Sequence, residues 1–153
     1  MITITKESPL GADLALLMAR HTADMHADTP PESIHMMDAG ELAVPEVTFF
    51  VMRKDGDPVA MGAFKRIDAV HAEIKSMHVL AEARGLGLSK RMLEHLVGAA
   101  RAEGFRRLSL ETGIQPTFVA ARALYAKAGF RDCAPFEGYW DDPNSVFMTK
   151  HLA

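Results

Sequence analysis

The chain has 153 residues, 48% hydrophobic and 24% charged, with a formal net charge of −3 and a lone cysteine, Cys133. That length fits one domain spanning 1–153, and the balance carries no basic patch of the kind a nucleic-acid binder shows. An internal disulfide is excluded, which suits a reducing compartment. The N-terminus lacks the basic start and apolar run of a secretion signal, and no stretch approaches the roughly 18 continuous apolar residues of a membrane span. The expectation is a cytoplasmic protein with neither nucleic acid nor membrane as partner.

Ile2 to Thr5 alternates and reads as a short strand. Ser8-Pro9 offers a helix start, with Leu10, Leu14, Leu17 and Met18 on one face, and Asp28-Thr29-Pro30-Pro31 breaks it. Glu32 to Asp38 is expected to form a second short helix. Val47 to Arg53 is β-branched and aromatic, hence a strand. Lys54-Asp55-Gly56-Asp57 is a hairpin turn, with Pro58 to Ile67 returning and Ala72 to Val79 as a further strand. Leu86 to Glu103 is amphipathic, with Met92, Leu93, Leu96, Val97 and Ala100 inward, and Gly104 sits where a helix C-terminal glycine belongs. Arg107 to Thr112 reads as a strand, Thr117 to Lys127 as a helix closed by Gly129-Phe130, and Ser145 to His151 as a last strand. The order predicts an α/β domain with a mixed sheet, and three consecutive strands exclude a simple doubly wound alternation.

The most informative segment is Val79-Leu80-Ala81-Glu82-Ala83-Arg84-Gly85-Leu86-Gly87-Leu88-Ser89, which leaves a strand and opens a helix. A helix N-terminus has free N–H groups and partial positive charge. Glycines let the backbone approach a bulky ligand, and Arg84 adds a fork of donors, so the segment suits a phosphate or pyrophosphate. It is no Walker A loop, because Lys90 and Arg91 follow Ser89, and it is a poor dinucleotide fingerprint, because Lys90 stands at the third glycine. A tight turn without a ligand is the plain alternative.

Arg84-x-x-Gly87-x-Ser89 resembles the Arg/Gln-x-x-Gly-x-Gly/Ala motif of the GNAT superfamily, with Ser89 in place of the usual smaller residue. Ala123-Leu124-Tyr125-Ala126-Lys127-Ala128-Gly129-Phe130 resembles the family's second signature, and Glu73 to Val79 its central strand. Leu110-Glu111-Thr112-Gly113 and the segment from Asp142 to Met148 resemble a group of small stand-alone bacterial members. The resemblance covers nearly the whole chain. It implies a mixed, mostly antiparallel sheet flanked by about four helices, and an N-acetyltransferase moving an acetyl group from acetyl-CoA directly to a primary amine, without a metal. It also implies that Arg84, Gly85, Leu86, Gly87, Leu88 and Ser89 hold the pyrophosphate of coenzyme A. Met77, His78 and Val79 would pair their backbone with the pantetheine arm, and Lys127 joins the cofactor-binding set. Many relatives carry an asparagine where this chain has Phe118, so that polar contact is not carried over. A homodimer is common in the superfamily.

Acetyl transfer needs an amine stripped of its proton, a stabilised oxyanion and a protonated leaving thiolate. The resemblance places Tyr125 beside the thioester sulfur as the acid, and Glu73 where related enzymes carry the base. By strict alternation Glu73, Lys75, Met77 and Val79 share a face, and Glu73 paired with Lys75 is the structural alternative. His35, Glu111 and Tyr139 are the candidate acceptor-binding residues; Glu111 would bind a cationic acceptor or pair with Arg107. The seven histidines form no zinc-type pair. Two other functions stay open: a non-catalytic acyl-CoA sensor on the same fold, and a nucleotide binder with a degenerate loop.

Overall fold

A computed structural model describes residues 1–34 and 36–152. The chain runs β1 (Ile2–Lys6), a 3-10 turn at Ala12–Leu14, α1 (Ala15–Asp28), α2 (Ala39–Leu42), β2 (Val47–Lys54), β3 (Asp57–Arg66), β4 (His71–Val79), α3 (Leu88–Ala102), β5 (Arg107–Gly113), α4 (Val119–Lys127), β6 (Arg131–Asp132) and β7 (Ser145–His151). The strands form a 7-stranded sheet in the order β1-β2-β3-β4-β5-β7-β6. Every pairing is antiparallel except β4 with β5.

Most elements follow from local signals. Asp55 (φ 51) and Gly56 (φ 91) both take positive φ, which is what a two-residue hairpin turn requires between Lys54 and Asp57. The helix after Ser8-Pro9 starts later than expected, after the 3-10 turn. The helix expected over Glu32 to Asp38 is not formed by the described residues of that stretch. A 3-10 turn covers Pro31–Ser33, Ile34 is extended, and Asp38 caps α2 through its side chain, accepting from the Glu41 amide at 2.7 Å. An aspartate that caps the next helix has extended backbone and cannot continue a previous one.

α3 covers one face of the sheet. Met92, Leu93, Leu96, Val97 and Ala100 pack with Phe64, Ala72, Ile74, Leu108 and Leu110. Gly62 lets the helix come close, since a Cβ there would lie 3.0 Å from Met92 Cγ and 3.1 Å from Leu96 Cδ1. α1 covers the other face, where Leu14 and Leu17 meet Phe49, Val51, Met61, Ala63 and Leu80.

Two irregularities shape the centre. β4 and β5 pair only from His71↔Arg107 to Glu73↔Ser109, after which β5 continues along β7 to Gly113↔Ser145 while β4 departs. A wedge therefore opens in the sheet beyond Glu73. Within β4, the register against β3 slips between Met61↔His78 and Ala63↔Lys75, and Ser76 takes φ 55. This bulge breaks the alternation. Ala72 and Ile74, then Met77 and Val79, pack on the α3 core. Glu73, Lys75 and His78 turn to the opposite side, where Tyr139 and His21 meet them. The expectation that Glu73, Lys75, Met77 and Val79 share a face is thus wrong, because an extra residue in one strand reverses the faces after it.

Leu96 is fully buried beneath β3. Leu96→Ala is expected to destabilise the fold by about 2–5 kcal/mol in urea unfolding; a loss under about 1 kcal/mol would mean that α3 does not anchor the sheet.

Candidate active site

The wedge opens into a cleft of about 720 Å³, lined by β4, β5, the loop before α3, the C-terminal part of α1, and α4. One end is built from backbone. Gly85 (φ 84) and Gly87 (φ 74) hold left-handed conformations that favour glycine, and a Cβ on either would meet nothing within 4 Å. The backbone here is open to a ligand. Gly87 is the N-cap of α3, no side chain caps the helix, and its first backbone bond is donated by Arg91 N to Gly87 O at 3.2 Å. The N–H groups of Leu88, Ser89 and Lys90 therefore point out of the helix end with no capping acceptor. Arg84 folds beside them, its Nε donating to Val79 O at 3.1 Å and its Nη2 to Asp24 of α1 at 3.0 Å.

The other end is built from ionisable side chains. Glu73 is buried, and its Oε2 accepts from Tyr139 Oη at 2.5 Å and lies 3.1 Å from Lys75 Nζ. Lys75 also donates to Tyr139 Oη at 2.8 Å. Tyr139 is held by an aromatic wall, with ring centroids 5.3 Å from Phe136 and 5.4 Å from Phe147. Burial, with Glu73 adding to it, raises its phenol well above the ordinary range. The same segment places Asp142, which accepts from the buried hydroxyl of Ser33 at 2.6 Å and so ties the chain after α1 to the loop before β7.

Between the two ends stand Glu111 of β5 and Tyr125 of α4. Burial pushes the Glu111 carboxyl up to about 7; Lys75 pulls it down, while Glu73 and Asp142 oppose its charge. Burial pushes Tyr125 up to about 12, reinforced by Glu111, so the phenol keeps its proton at neutral pH. Two histidines line the wall against α1. The rings of His21 and His78 lie 5.2 Å apart, and burial is the first cause of the lowered pKa of each, with His21 at about 4. His21 is therefore held neutral at pH 7.

The model of the acetyltransferase (GNAT) family matches residues 16–130. The chain belongs to the GNAT family. It is 42% identical to the uncharacterized N-acetyltransferase YsnE of Bacillus subtilis over 142 residues, covering 93% of this chain and 94% of that one. It is 40% identical to the IAA acetyltransferase of Azospirillum brasilense over 156 residues, covering 99% and 98% of the two chains. A Klebsiella pneumoniae structure described as an acyl-CoA N-acyltransferase superimposes with a TM-score of 0.83 at 30% identity, over 100% of this chain and 99% of that one. The Salmonella typhimurium acetyltransferase yncA, solved with acetyl-CoA, shares the fold with a TM-score of 0.73 at 18% identity, over 99% and 94%. This GNAT protein is an acyltransferase.

The residues present fit coenzyme A. An uncapped helix end, open glycine backbone and an arginine are what a pyrophosphate requires. Of the residues singled out in the sequence, Glu73, Met77, His78, Val79, Arg84, Gly85, Gly87, Leu88, Ser89, Glu111, Tyr125 and Tyr139 all line the cleft. Leu86 and Lys127 do not: Leu86 is 59% exposed on the far side of the loop, and Lys127 is exposed at the end of α4. His35 lies outside the described residues. Glu111 does not pair with Arg107, whose Nε donates to Thr149 instead. Asp24, His21 and Lys90 line the cleft without having been singled out there. Nothing local marks Asp24 or His21, which arrive through the packing of α1; Lys90 sits one residue past the recognised motif, in the first turn of α3.

A carboxyl at about 7 in the folded protein, against about 4.5 unfolded, binds its proton more tightly when folded. Its contribution is complete below pH 4.5 and is lost as the pH rises through 7. Glu111→Gln cannot titrate, so its stability relative to wild type should rise between those pH values, by at most ~3 kcal/mol. Urea unfolding at pH 4.5 and 8 measures this; a difference that stays constant with pH would show that Glu111 is not held protonated.

Proposed function

We propose that the protein transfers an acetyl group from acetyl-CoA directly to a primary amine. The observation that carries the reading is the convergence, in one cleft, of two carboxylates and a protonated phenol beside an uncapped helix end. Acetyl-CoA supplies the activated acetyl thioester. The N–H groups of Leu88, Ser89 and Lys90, with Arg84, bind the pyrophosphate, and the backbone of Met77 to Val79 orients the pantetheine arm along β4. Tyr125 holds a proton that it gives to the sulfur. Glu73 draws the proton from the amine.

The atoms balance. The amine nitrogen forms its bond to the acetyl carbon as the carbon–sulfur bond breaks. The amine's proton goes to the carboxylate, and the phenol's proton goes to the sulfur. Return of the carboxyl proton to Tyr125 resets the site.

A second assignment of the base is favoured by a specific observation. Glu73 Oε2 is already engaged by Tyr139 and Lys75, whereas Glu111 faces the same cleft with a pKa of about 7. A base poised near the working pH is the more efficient one. If Glu111 is the base, the acid limb of kcat/KM falls near pH 7 and disappears in Glu111→Gln. If Glu73 is the base, Glu111→Gln keeps that limb and Glu73→Gln removes turnover.

Acetyl-CoA binding by calorimetry, followed by thiol release with a panel of amines, tests the reading. IAA, named in the Azospirillum relative, is tested separately from the amines. Amine-dependent release supports transfer; binding without release supports a non-catalytic acyl-CoA sensor. Tyr125→Phe should lower kcat by on the order of 10²-fold while leaving acetyl-CoA affinity within about twofold. Unchanged turnover would remove Tyr125 from the chemistry.

A further inference from the structure

An acceptor site for a bare cationic amine needs carboxylates and is weakened by a cation. The cleft supplies Glu73 and Glu111, with Asp142 close enough to act on Glu111, yet Lys75 stands among them. Its Nζ is 3.1 Å from Glu73 Oε2 and 2.8 Å from Tyr139 Oη, and the side chains of Lys75 and Glu73 are only 13% and 3% exposed. A lysine there repels an incoming ammonium and competes with it for Glu73. Burying such a pair also costs desolvation that its attraction only partly repays.

Among the described residues, the cleft also carries buried polar atoms with no hydrogen-bond partner. Ser76 Oγ, at the β4 bulge beside Lys75, and Thr29 Oγ1, at the end of α1, are both buried and unpaired, and both residues line the cleft. Thr29 is more than nine-tenths buried. Buried hydroxyls are normally satisfied, and an unsatisfied one beside a ligand cleft points to a ligand group that completes it. Hydroxyl donors beside an ammonium form the set that receives a carboxylate.

Building on the acetyl-transfer reading, we infer that the acceptor is a zwitterionic amino acid, its amine received by Glu73 and its carboxylate by Lys75 with the hydroxyls of Ser76 and Thr29. The preformed Glu73–Lys75 pair is a template for such a molecule, whose opposite charges are as close together as those of the pair. Glu73 turns from Lys75 to the ammonium, and Lys75 turns to the carboxylate, so each buried charge keeps a partner throughout. The bound ammonium first gives one proton to Glu73, which passes it to water; the free amine then reacts as above, its second proton going to Glu73 as the phenol's goes to the sulfur, giving an N-acetyl amino acid, the free thiol of coenzyme A and one released proton.

The test is thiol release from acetyl-CoA with the common protein amino acids, each matched to its decarboxylated amine: phenylalanine with phenethylamine, leucine with isoamylamine, lysine with cadaverine. At least one amino acid should exceed its amine in kcat/KM by at least ~10-fold, the size of a hydrogen bond to a charged group. In Lys75→Met, checked for folding by circular dichroism, that ratio should fall toward one. If the variant does not fold, the wild-type ratio decides alone. Release with the amines alone, or equally with both sets, overturns the zwitterion inference and leaves amine acetylation standing. Release with neither set, while acetyl-CoA binds, overturns both.

Discussion

The parting of β4 from β5 after Glu73 and Ser109 is the constraint on which the rest of the site depends. A strand inside a sheet has neighbours for its N–H and C=O groups on both sides; beyond Glu73, β4 has β3 on one side and the cleft on the other. β5 does not follow β4 because β7 holds it along its whole length, from Arg107↔His151 to Gly113↔Ser145. The opening is thus enforced from both sides, by β3 and by β7. An extended ligand segment carrying amides is the natural partner for such a strand edge.

The bulge at Ser76 adds the second half of the design. Non-glycine residues at positive φ are strained by about 1–3 kcal/mol, and here the strain falls where the face reversal is useful. Before the bulge, Glu73 and Lys75 are on the side of Tyr139 and the loop carrying Asp142. After it, Met77 and Val79 anchor β4 on the α3 core, so the strand beside the cleft is held rigidly by apolar contacts. The acceptor-side charges and the packing anchor thus come from successive residues of one strand. A regular strand would have put Met77 on the same side as Glu73 and left less room for polar groups.

What was legible in the sequence was what local chemistry dictates. Asp55-Gly56 needs positive φ at both residues and could be read as a turn; Gly85, Gly87 and Arg84 announce a strand-to-helix anion loop; the period of Met92, Leu93, Leu96 and Ala100 shows the buried face of α3. The bulge was not legible, because Ser76 carries no residue-type signal for positive φ, and the slip arises from pairing with β3. Nor was the short β6, whose two residues exist as a strand only because β7 offers an edge. Within the site, Glu73, Glu111 and Tyr125 were legible through the motifs around them. The Glu73–Lys75 pair was legible as the structural alternative, but its link to Tyr139 was not, since Tyr139 reaches Glu73 across 66 residues of chain.

α1 joins the two ends of the cleft. Near its middle, Arg20 pairs with Glu82 and Asp24 with Arg84, both on the stretch between β4 and α3, while His21 stacks on His78. At its end, Thr29 lines the same cleft, and Ser33, a few residues on, bonds to Asp142. Arg84 is therefore held to α1 through Asp24. The ion pairs beside the glycine loop and the tie to the loop before β7 are thus carried by one helix and the chain that follows it.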